Sequence, residues 1–83
     1  MFTFYSDPGH GWLEVAWSDL KRLSLNPTDF SRCSSRKGNL FYLEEDCDAP
    51  IFLNAWEAMH GIKPQFREVY QERIFIRNLP SIY

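Results

Sequence analysis

The hydrophobic period changes once, abruptly, inside the stretch LFYLEEDCDAPIFLNAWEAMHG, residues 40–61. Leu40, Phe41, Tyr42 and Leu43 form an unbroken apolar run, the pattern of a strand covered on both faces. Four carboxylates follow: Glu44, Glu45, Asp46 and Asp48. Beyond them Phe52, Ala55, Trp56 and Met59 recur at helical spacing, with Ile51 flanking the stripe. Asp48 stands at the N-cap position, Pro50 in the first turn and Gly61 just past the last periodic residue, so the spacing predicts a helix over 49–60 with Trp56 buried. Cys47 and Phe52 have the spacing of a hydrophobic staple. A central strand that hands over directly to an amphipathic helix requires a sheet with a helical layer against it.

The remaining segments fit that frame. Phe2–Tyr5 and Trp12–Val15 are β-prone runs around Asp7-Pro8-Gly9-His10-Gly11, in which Asp7 to His10 has the composition of a type II turn. Leu13 and Val15 share one face of the second run, Trp12 and Glu14 the other. Ser18 and Asp19 open a short helix carrying Leu20 and Leu23, stopped by Asn26-Pro27. Residues 30–36 and 40–45 read as a hairpin about Lys37-Gly38-Asn39. After Lys63-Pro64 the period returns to two, through Phe66, Glu68 and Tyr70 and again through Ile74 and Ile76. Arg73, Phe75 and Arg77 would then share one face of a strand. The order ββαββαβ describes one α+β domain over residues 1–83, a two-layer fold with a mainly antiparallel sheet and two helices on one face. Its expected core is Leu13, Val15, Leu20, Leu23, Phe41, Leu43, Phe52, Trp56 and Met59.

A chain this short buries only about 60–65% of its unfolded surface, and aromatic side chains are an economical way to fill so small a core. At 17% of the chain they exceed what one such core absorbs, which leaves rings for an interface. Eleven acids against nine bases exclude the basic excess of a nonspecific nucleic-acid binder, so any electrostatic recognition is local. No apolar run approaches the length of a membrane span, and no signal-peptide pattern precedes Phe2. The expected location is the cytoplasm, where Cys33 and Cys47 would remain reduced.

Candidate chemistry is sparse. His10 lies in a loop beside Asp7, yet no serine or cysteine nucleophile motif accompanies it. Cys33, Cys47, His10 and His60 lack zinc-ligand spacing, and the acidic cluster lacks the alternating ligands and glycine of a calcium loop. No catalytic residue, metal or cofactor is expected. Glu44, Glu45, Asp46 and Asp48 have two readings: they complement the helix dipole on a solvated edge, or they form a partner-binding patch. Arg73 and Arg77 with Tyr70 and Phe75 offer an alternative, a stacking face for nucleic acid.

Tyr5-Ser6-Asp7-Pro8-Gly9-His10-Gly11-Trp12-Leu13-Glu14-Val15 and Phe41-Tyr42-Leu43-Glu44-Glu45-Asp46-Cys47-Asp48-Ala49 resemble a family of very small bacteriophage and mobile-element proteins. Small acidic phage proteins of this size are in turn similar to anti-CRISPR inhibitors. The resemblance implies a non-enzymatic protein in the host cytoplasm whose partner is a host protein or ribonucleoprotein defence complex. The alternative is a small nucleic-acid-binding accessory protein. No functional residue carries over from it.

Overall fold

The computed structural model describes residues 1–83 as strands Phe2–Ser6 (β1) and Gly11–Ala16 (β2), helix Trp17–Arg22 (α1), strands Ser35–Lys37 (β3) and Leu40–Glu44 (β4), helix Ala49–His60 (α2) and strand Phe66–Tyr70 (β5). Short 3-10 turns occupy Pro27–Asp29 and Phe75–Asn78. The five strands form one sheet in the order β3-β4-β2-β1-β5, antiparallel except where β5 lies parallel to β1. This is the α+β domain the periodicity predicts, with the strand order reaching β5 by a helical crossover.

Register follows the alternation of β2. Leu13 faces Phe4 on β1 and Leu43 on β4, and Val15 faces Phe41, so one sheet face is apolar across its centre. These residues join Leu20, Phe30, Ala49, Phe52 and Ile82 in the main core. The two-residue link Gly38-Asn39 between β3 and β4 puts Gly38 at φ +59°, as the first position of a type II′ turn demands.

The α2 stripe is rotated from its expected position. Ala49, Phe52, Leu53 and Trp56 face the sheet, Trp56 only half-buried with its ring edge-on to Phe2, while Met59 is 58% exposed. The helix meets β1 through Phe52 and Trp56, whose rings both lie edge-on to Phe2, and Met59 falls off that contact line. Gly61, at φ +73°, closes the helix with its N–H donating to the Glu57 carbonyl at 2.8 Å.

Helix α1 is shorter than Asn26-Pro27 would allow. Asp19, three residues in, accepts from the Ala16 N–H at 2.8 Å, so the helix begins before Ser18 and is capped by its own third residue. It ends through Ser24 at φ +57°, where the Ser24 and Leu25 N–H groups return to the Lys21 and Leu20 carbonyls at 3.1 and 2.9 Å.

The second sheet face is also covered, which the two-layer expectation did not include. Chain beyond β5 does not continue as a strand. It crosses beneath the sheet, where Ile74 and Ile76 are buried with Trp12 and Tyr42. The Phe75 ring meets Tyr5 and Tyr42 edge-on, at centroid separations of 5.5 and 5.4 Å. The segment then bridges β3 through Ser81 and Ser35, and Ile82 rounds the edge into the main core. The apparent alternation at 73–77 is therefore a 3-10 turn with two inward isoleucines, and Arg73, Phe75 and Arg77 do not form a strand face.

Two substitutions separate the observed helix face from the expected one. Phe52→Ala removes a fully buried ring and should cost about 3–5 kcal/mol. Met59→Ala should stay within about 0.5 kcal/mol of the parent. Urea denaturation of both checks the assignment, and equal losses would contradict it.

Candidate functional site

Two turns at one end of the sheet bring together residues that are far apart in the chain. The first is the β1–β2 loop. Here Asp7 is buried, and its Oδ1 accepts from the Gly9 and His10 N–H groups at 2.9 and 2.8 Å. Gly9 is not at positive φ, so the expected type II turn does not form; the aspartate side chain shapes the loop in its place. Gly11 begins β2 against the Phe4 ring, where a Cβ would come within 2.5 Å of Cζ.

From beneath the sheet Arg77 reaches this loop. Its guanidinium forms an ion pair with Asp7, donating through Nε to Oδ2 and through Nη2 to Oδ1 at 3.1 Å. That bidentate bond, then the two backbone donors, hold the Asp7 carboxyl well below the usual carboxylate range, and Asp7 in turn raises the arginine. Nη2 also donates to His10 Nδ1 at 2.8 Å, and the arginine carbon lies 5.6 Å above the Trp12 ring, on which His10 stacks. Because arginine only donates, Nδ1 of His10 is the acceptor and its ring proton sits on Nε2.

The second turn joins β4 to α2 and contains the acidic cluster. The structure splits it. Glu44 is buried, its Oε2 accepting from the Asp46 and Cys47 N–H groups at 3.0 and 2.9 Å. Asp48 is 1% exposed and does not cap α2 with its side chain. Its carboxylate instead takes the Ser31 N–H and Ser31 hydroxyl, both at 2.9 Å, and the Ser34 hydroxyl, tying the 31–34 segment to the start of the helix. Ser34 Oγ accepts in turn from the Glu44 N–H at 2.9 Å. Glu45 and Asp46 alone of the four point to solvent. Glu44 and Asp48 are therefore structural acceptors, and a partner-facing role remains open only to Glu45 and Asp46.

The same network places Cys33, between Ser31 and Ser34, against Cys47, beside Asp48. Both thiols are free and exposed, with 3.4 Å between the sulfurs. The staple between Cys47 and Phe52 does not form. Cys47 donates to Cys33, and that bond, followed by the one to Glu44, pushes its thiol up to about 12. The thiols, His10, Trp12, Glu44, Asp46, Ile76 and Arg77 line a cleft of about 480 Å³. No three His, Cys, Asp or Glu side chains converge as metal ligands. His60 lies elsewhere, stacked on Trp56 at 4.0 Å with Nδ1 donating to the Trp56 carbonyl.

A second, more apolar depression of about 330 Å³ lies between α2 and β5. Phe4, Leu13, Pro50, Leu53 and Phe66 line it, and Glu45 and Glu68 lie on its rim. It lies over β1 and β2 on the helical face, bounded by the inner side of β5, whose Phe66 is 42% and Tyr70 60% exposed. The opposite edge of the sheet is occupied: the Arg36 N–H donates to the Pro80 carbonyl at 3.0 Å and the Ile82 N–H to Ser34 at 3.1 Å. The spare aromatic content of the sequence points to this exposed edge, although composition does not say which strand carries it. No helix is long and apolar enough to cross a membrane.

Two measurements test these assignments. Asp48→Ala strands the buried Ser34 hydroxyl and the half-buried Ser31 hydroxyl and should cost about 2–4 kcal/mol, while Asp46→Ala should be near neutral; chemical denaturation checks both. For Asp7, the folded pKa lies below the unfolded value of about 3.9, so its contribution is present above that pH and lost as pH falls below it. The stability gap between wild type and Asp7→Asn should be flat from about pH 5 to 8 and shrink below about pH 4. A gap independent of pH would remove the ion pair from the account.

Comparison of the chain with family models, with curated proteins and with solved structures finds no match, so the reading of function rests on the residues and their geometry.

Proposed function

We propose that this protein works by stoichiometric binding, pairing an extended segment of a protein partner along β5, as a phage- or prophage-encoded inhibitor of a host defence complex. The observation that supports the docking mode is the single open sheet edge beside an apolar groove with an acidic rim. Added strands gain affinity from main-chain hydrogen bonds and specificity from alternate side chains. On β5 such a segment would set apolar side chains beside the exposed Phe66 and Tyr70 and a basic one against Glu68, with Glu45 on the rim of the adjoining groove. Folded proteins usually blunt or cover edges of this kind. Here the β3 edge is covered by the chain terminus and the β5 edge is not.

The inhibitor setting rests on the resemblance of residues 5–15 and 41–49 to small phage proteins, with an anti-CRISPR-like mode as its concrete form. A complex that handles nucleic acid presents basic segments, which suits Glu45, Asp46 and Glu68. Two of the four residues of the nucleic-acid-binding alternative are engaged elsewhere, Arg77 by Asp7 and Phe75 by Tyr5 and Tyr42, which weighs toward the protein partner.

Purified host defence ribonucleoprotein complexes titrated with the protein provide the test. Target binding by the susceptible complex should be blocked at one equivalent, with hydrogen-exchange protection appearing in β5 and the first turn of α2. The double variant Glu45→Lys/Glu68→Lys should fold normally, bind at least about tenfold more weakly and lose its salt dependence. Unchanged inhibition by that variant would exclude the groove. Retention of nucleic acid by the wild type alone would favour the accessory-protein reading.

A further inference from the structure

We propose that Cys33 and Cys47 form a modification site, a pre-set dithiol that closes to an intramolecular disulfide on reaction with a low-molecular-weight disulfide. Fourteen positions separate the two residues, yet their sulfurs lie 3.4 Å apart and both side chains are exposed to a soluble reagent. The proximity is built from buried groups. Asp48, adjacent to Cys47, receives the Ser31 and Ser34 hydroxyls that flank Cys33, and Ser31 Oγ also accepts the Cys33 N–H at 3.1 Å. Glu44 accepts the Cys47 N–H from the other side at 2.9 Å. Each thiol is thus carried on a turn whose backbone a buried carboxylate fixes, with the sulfurs already in van der Waals contact at 3.4 Å.

The reaction balances as thiol–disulfide exchange. The Cys33 thiolate attacks one sulfur of the reagent RSSR, forming a mixed disulfide and expelling RS⁻. Cys47 then gives up its proton and attacks the Cys33 sulfur, expelling the second RS⁻. Two protein thiols are oxidised by two electrons, one RSSR is reduced, and the two thiol protons end on two RSH. The order follows from the surroundings of Cys47, where the contact with Cys33 and the buried Glu44 carboxylate both favour the protonated thiol, so Cys33 attacks first. The product would staple the segment before β3 to the start of α2 beside the His10–Arg77 cleft.

Glutathione disulfide at pH 8 is the probe, with the reduced full-length chain read by non-reducing intact mass. Wild type should lose two hydrogens and both titratable thiols, stay monomeric without a lasting adduct, and gain roughly 10–20 °C in Tm, as closing a loop of this size does. Cys47→Ser should accumulate a stable glutathione adduct on Cys33, and Cys33→Ser should form its adduct several-fold more slowly. Lasting adducts on the wild type, a disulfide-linked dimer, or an unchanged mass would each overturn the assignment.

Discussion

Covering both faces of a five-stranded sheet with so few residues is the constraint on which this structure turns. Two helices suffice for one face, where Leu13, Val15, Phe41 and Leu43 meet Leu20 and Phe52. The other face would expose Trp12 and Tyr42, and no third helix exists to bury them. The last dozen residues take that place, contributing Ile74 and Ile76 from below and Ile82 from above after rounding the β3 edge. Such a segment has little secondary structure to hold it. Its anchorage is the Asp7–Arg77 ion pair at one end and, at the other, the Tyr83 hydroxyl donating to the Phe30 carbonyl at 2.5 Å. Asp7 also shapes the β1–β2 loop, so a single buried carboxylate couples the first hairpin to the terminal layer.

The β4–α2 junction uses the same device. Glu44 and Asp48 are isolated acceptors surrounded by donors from turns that lack regular hydrogen bonding. Buried carboxylates in this position are costly unless fully satisfied, and no buried side-chain nitrogen or oxygen here is left without a partner. The density of acids at 44–48 therefore has two origins. Half of it organises loops, and the other half is surface.

Local chemistry made much of this readable from residues. The unbroken run at 40–43, the alternation at 12–15, the helix over 49–60 and its glycine stop all depend on near neighbours, and each lies where its spacing places it. What could not be read was set by distance in sequence. Nothing near Met59 reveals that α2 will turn Phe52 and Trp56, and not Met59, toward the sheet, and nothing near Asp48 reveals that Ser31 and Ser34 will arrive to claim it. The two isoleucines at 74 and 76 satisfy a strand pattern and a 3-10 turn equally, and only the exposed underside of Trp12 and Tyr42 decides between them. The thiol pair was hidden for the same reason, since the hairpin and the serine–aspartate network jointly create it.

The tail's return along β3 also limits how copies of this chain can associate. With one edge occupied from within, strand pairing between molecules has only β5 to use. Two chains joined antiparallel through β5 would be related by a two-fold axis, and each would then have no edge left to offer. Growth through β5 alone therefore stops at two molecules, even though that edge carries exposed aromatic rings.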